Sequence, residues 1–72
     1  DDYIKAEKFL KKAVELMPDD PVVIDHYGDI LWKLDRKIQA RYFWSMVLEM
    51  EDAEKDLLDQ IKIKIISGPK NS

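Results

Sequence analysis

The chain has 72 residues with no cysteine, two glycines and three prolines, and 46% of it is apolar against 38% charged. That balance suits one small domain with a core of its own and excludes a disordered tail, while the lack of cysteine excludes a disulfide framework and a thiolate metal site. Stretches 1–20 and 21–52 each hold six acids and four bases, and 53–72 holds three acids and four bases, for a net charge of -3 overall. Without a cationic tract to neutralise phosphates, nucleic-acid binding is not expected.

No apolar run approaches the roughly 20 residues of a membrane span. The opening Asp1-Asp2 has no basic-then-apolar leader, and a start without Met suggests a piece of a longer chain. The expected compartment is the cytoplasm, and a bacterial periplasm fits the same composition.

Helical spacing dominates from the start. Tyr3, Ala6, Leu10, Ala13, Val14 and Met17 recur at steps of three and four, which predicts a helix over 2–17. Pro18 and Asp19-Asp20 end it. Asp20 is placed to cap a second helix that begins at Pro21 and runs to Leu34 on Ile24, Tyr27, Ile30 and Leu31. A polar corner, Asp35-Arg36-Lys37, follows. The third run, Ile38 to Met50, is apolar on more than one face and so should be covered from two sides. Past Glu51-Asp52, a fourth helix carries Leu57, Leu58, Ile61, Ile65 and Ile66, with Glu54 and Asp56 near its start and Lys62 and Lys64 near its end, as the helix dipole favours. Ser67-Gly68-Pro69 stops it. The alternation Ile61-Lys62-Ile63-Lys64-Ile65 imitates an edge strand, but the caps and the spacing Leu58, Ile61, Ile65 favour helix.

One constant offset lays the first helix on the third. Ala6 falls on Ala40, Phe9 on Phe43, Leu10 on Trp44, Ala13 on Val47, Val14 on Leu48 and Leu16 on Met50. With Ile24, Tyr27-Gly28, Leu31, Ala40 and Trp44 in order, and a closing proline at Pro18, the chain resembles tetratricopeptide repeat proteins, whose units are about 34 residues long. It departs from their pattern at Ile24, where an aromatic is usual, at Tyr27, where leucine is common, at Asp35, where glycine is frequent, and at Asp52, where the closing proline would stand.

The resemblance implies an all-α fold of antiparallel helix-turn-helix repeats in an α-solenoid. Residues 1–20 would be the second helix of a truncated repeat, 21–54 one complete repeat, 55–67 a capping helix and 68–72 a disordered tail. Gly28 and Ala40 would be small because two helix backbones approach there, with Ala6, Leu10, Ala13, Tyr27, Leu31, Trp44 and Val47 packing around such crossings. A stable array needs about three repeats. Part of the first helix, the face of Tyr3, Leu10 and Val14, should therefore be bare, and it is expected to be covered by a second copy of the chain in a homodimer, by a swapped element, or by upstream repeats in the parent protein.

The resemblance also implies partner binding on a concave face. Its positions here are Val22, Asp25, Asp29, Trp32 and Lys33, with Asp56, Asp59, Ile63 and Ile66 on the fourth helix. Aspartates replace the lysine and asparagine that clamp a peptide carboxylate, so the expected partner is a basic or amphipathic peptide or protein segment.

Other constellations read as ordinary structure. Asp25, His26 and Asp29 are too few and too scattered for a metal. Lys33, Arg36, Lys37 and Arg41 form a corner of solubility charge. Tyr42-Phe43-Trp44 point about 100° apart, as successive helix positions do, and belong between helices rather than to a base-stacking platform. With one histidine, no cysteine and no glycine-rich phosphate loop, neither catalysis nor a cofactor is expected.

Overall fold

A computed structural model describes residues 2–70; Asp1, Asn71 and Ser72 lie outside the described residues. It holds four helices, α1 (Asp2–Leu16), α2 (Pro21–Lys33), α3 (Lys37–Leu48) and α4 (Lys55–Ser67), and no strand among the described residues. The fold is all-α, and the alternating stretch 61–65 is helical.

The corners follow from their residues. Asp20 is extended, and its carboxylate accepts the N–H groups of Val22 and Val23, with Pro21 in the first turn. At the far end of α2, Asp35 takes a positive φ of 62°. The Arg36 N–H then returns to the Leu31 carbonyl at 2.8 Å and the Asp35 N–H to that of Trp32 at 3.0 Å. This is the left-handed closure usually given to glycine, which aspartate tolerates better than most residues.

α1 packs on α2, α2 on α3 and α3 on α4, so α3 is covered from two sides as its pattern requires. The fully buried side chains are Ile24, Leu31, Trp44, Val47 and Ile61, joined by Ala40 and the nearly buried Tyr27. At the centre sits the indole of Trp44. A Cβ added to Gly28 would stand 2.4 Å from its Nε1, and that N–H donates to the Asp25 carbonyl at 3.3 Å. Gly28 is thus small to admit an indole. Beside this contact the Tyr27 and Phe43 rings meet edge to face at 4.9 Å.

Two expectations about the ends change. Gly68 and Pro69 are buried, not part of a loose tail. Gly68 has φ 83° and ψ 176°, a region that only glycine occupies freely, and a Cβ there would lie 2.5 Å from the Trp32 ring. The bare face of α1 is also partly a different one. Leu10 and Val14 pack against the core. Tyr3 is 44% exposed with Lys33 over its ring, and Phe9 and Leu16 are more exposed still, at 74% and 77%.

Gly28→Ala is expected to destabilise the domain by roughly 1–3 kcal/mol, the range for overpacking a filled core, because Trp44 is walled in on every side. Chemical denaturation measures it, and an unchanged midpoint would mean that Trp44 is not held as described.

Candidate functional site

Asp25 and Asp29 lie one turn apart on α2, and together with His26 they place ligand-type atoms within 4.8 Å of one another. The position a cation would take is filled from α4. The Lys64 ammonium donates to both Asp25 oxygens, at 2.8 and 3.1 Å, and to Asp29 Oδ2 at 3.3 Å, and lies 3.0 Å from Asp29 Oδ1. These three side chains are largely enclosed, with exposures of 7% for Asp25, 14% for Lys64 and 25% for Asp29.

Burial sets the electrostatics. Burial alone would lower the Lys64 pKa, but the hydrogen bonds and charges of Asp25 and Asp29 outweigh it and hold the ammonium above the ordinary lysine value. Burial pushes the Asp29 carboxyl up, the Asp25 charge adds to that, and Lys64 only partly offsets it. Two carboxylates thus share one cation inside a helix seam. The cluster is a lock between α2 and α4, with its one positive charge internal.

The acidic groove expected on the concave face is therefore not presented. Asp25 and Asp29 are spent on Lys64, and Asp59 pairs with Lys55 one turn earlier on its own helix at 2.8 Å. Asp56, Val22, Ile63 and Ile66 are exposed. Trp32 is covered instead of open. Trp44 stacks against it at 5.6 Å, the cations of Lys37 and Arg41 lie over its ring at 4.9 and 5.3 Å, and Gly68 closes against it. The basic corner is likewise engaged. Lys33 covers Tyr3, Arg36 is 3.9 Å from Glu7, and Arg41 Nε donates to the Ile65 carbonyl at the end of α4.

Lys64 is the residue that reading for dipole effects passed over. A signal for it exists, because Lys64 shares the core-facing stripe of Ile61 and Ile65, where a cation needs an anionic partner.

Lys64→Met should cost about 3 kcal/mol, because it leaves two adjacent carboxylates without a cation. Adding Asp25→Leu and Asp29→Leu to it should return stability to the wild-type level or above. A folded-state pKa raised on a lysine gives stability that is present below the ordinary lysine range and lost as the pH climbs through the raised value. The gap between wild type and Lys64→Met should accordingly narrow in strong alkali. Thermal melts across pH check this, and a gap that stays constant would remove the lock.

Comparison with protein-family models, with curated proteins and with solved structures finds no match to this chain. What it does is therefore to be read from the placement of these residues.

Proposed function

We propose that the chain is a non-catalytic protein–protein interaction module, a segment of helix-turn-helix repeats of the tetratricopeptide kind. The observation that carries this is the repetition of one helix pairing at the interval that separates Ala6 from Ala40. Along α1 and α2, Tyr3 meets Lys33 and Glu7 meets Tyr27. Carried forward by that interval, the pairs become 37 with 67 and 41 with 61, and the observed partner of Arg41 is Ile65, within one helical turn. Units that repeat in this way bury their apolar faces chiefly against their neighbours.

Other features support the same reading. His26 is exposed, and the one carboxyl group among the described residues whose pKa is held up by burial is bound to Lys64. Among the described residues no helix is long and apolar enough to cross a membrane, and the cytoplasm suits a chain without cysteine.

A direct test is to insert a second copy of 21–54 after residue 54. That copy should carry Ile30→Lys, because Ile30 stands one repeat before Lys64 and must face the first copy's Asp25 and Asp29. The longer chain should unfold in one transition with its Tm raised by about 5 °C or more, since each repeat adds an interface. Loss of cooperative unfolding would reject the repeat.

The exposed Phe9 and Leu16 favour one second reading, a homodimer through α1. Light scattering distinguishes the two: the interaction module is expected at the monomer mass of 8.5 kDa, and a doubled mass that Phe9→Glu abolishes would establish the dimer.

A further inference from the structure

We propose that the edge formed by the α1–α2 and α3–α4 corners is a docking surface for a cationic amphipathic segment of another protein. The inference rests on the interaction-module reading above and names the partner that reading leaves open.

The two corners bring most of the acids together. Stretches 15–22 and 49–57 hold eight of the 15 acids and one of the 12 bases, so the rest of the chain carries four more bases than acids. Asp52 joins the corners: it meets residues 16–21 around one hollow, and Pro21, Val22, Glu54 and Leu57 around a second. Seven of the eight acids are exposed, and the eighth, Asp20, caps α2. Among the described residues no other carboxylate of this edge has a hydrogen bond or an ion pair. The single base, Lys55, is paired with Asp59 on its own helix.

The helix ends add to the same field. α1 and α3 finish at this edge, and neither has a basic residue in its last turn, whereas α2 and α4 finish at the opposite edge with Lys33 and Lys64. The last carbonyls of α1 and α3 therefore contribute partial negative charge with no cation beside them in sequence. The positive starts of α2 and α4 reach this edge too, where Asp20 and Asp56 already face them. Side chains and helix ends thus independently leave a negative surplus.

The apolar floor decides which kind of cation fits. The second hollow encloses about 280 Å³. Val22 and Met17 are 49% and 48% exposed, and Leu57 is partly buried beneath them. Lysine and arginine lay their hydrocarbon stems on such a floor and carry the charged head to carboxylates at the rim. A metal ion would gain nothing from the floor. Nor do the edge acids converge on one point: among the described residues, the three ligand-type side chains within 4.8 Å of one another are Asp25, His26 and Asp29. Carboxylates spread along an apolar strip match a segment with cations on successive turns.

Neither a further repeat nor a second copy supplies that segment. Both ends of the described chain lie at the opposite edge, where Tyr3 sits under Lys33 and Gly68 against Trp32. A further repeat would stack beside the helices and continue the acidic edge instead of covering it. The basic corner of a second copy is already engaged, with Arg36 near Glu7 and with Lys37 and Arg41 over Trp32.

The test uses the whole chain and three fluorescent peptides: an amphipathic helix of leucine and arginine, the same peptide with glutamate for arginine, and the same with serine for leucine. Fluorescence anisotropy should show saturable binding of the first, about tenfold or more tighter than either of the others. Asp52→Asn with Glu54→Gln should weaken it about tenfold. Ile38→Lys with Gln39→Lys shifts the net charge equally at exposed positions on the opposite edge and should change it by less than about twofold. Val22→Ser should weaken it about threefold or more. Asp20 is left in place because it caps α2, and circular dichroism establishes that each variant is folded.

Equal binding of the serine peptide would reduce the effect to bare charge attraction and overturn the proposal. So would equal losses from the two pairs of substitutions, no binding of the leucine–arginine peptide up to roughly 1 mM, or a dimer of the free chain that Asp52→Asn with Glu54→Gln dissolves. Should the duplicated-repeat chain be stabilised while the peptide stays free, the repeat reading stands and this use of the edge is wrong.

Discussion

The indole of Trp44 occupying the space where Gly28 has no side chain is the contact on which the remaining architecture depends. It brings α2 and α3 close enough for the ring nitrogen to reach the Asp25 carbonyl. That bond also satisfies the one polar atom of an otherwise apolar, wholly buried side chain. Trp32 stacks on the same indole and in turn shapes the chain end, because only a glycine at 68 can lie against its ring. A single absent Cβ therefore sets the distance between the central helices and, through two tryptophans, the path of the chain beyond α4.

The second constraint is electrostatic. A domain of this size buries a modest apolar area, yet it encloses a lysine and two aspartates between α2 and α4. Such a cluster adds little net stability compared with apolar residues of the same shape, but it is costly to break, so it disfavours other pairings of the helices. Lys64 donates to two carboxylates, and an apolar residue facing them would leave both without a partner.

Much of the local structure was legible in the residues. The cap at Asp20, the stop at Gly68 and the four helical stretches follow from chemistry that acts over a turn or so of chain. The observed ends differ from the expected ones by a few positions at most, as for α3, which closes at Leu48 instead of Met50. The site was less legible. The spacing puts Asp25 and Asp29 on one face of α2, but what that face meets depends on α4, whose Lys64 is 35 to 39 residues away. The same limit applies to α1, where Leu10 and Val14 face the core while Phe9 and Leu16 face out. Both stripes are apolar, and periodicity does not say which one a neighbour covers.

The sequence by itself determined that the chain is all-α and where its helices turn. Those properties come from backbone hydrogen bonding, capping and periodicity, which are local. Only the tertiary structure decided that Gly28 serves an indole, that the aspartates are locked by Lys64, that Trp32 is covered by Gly68 and that Phe9 is left open. Each of these is a contact between segments distant in the chain, and its energy depends on distance and burial, which residue order does not contain.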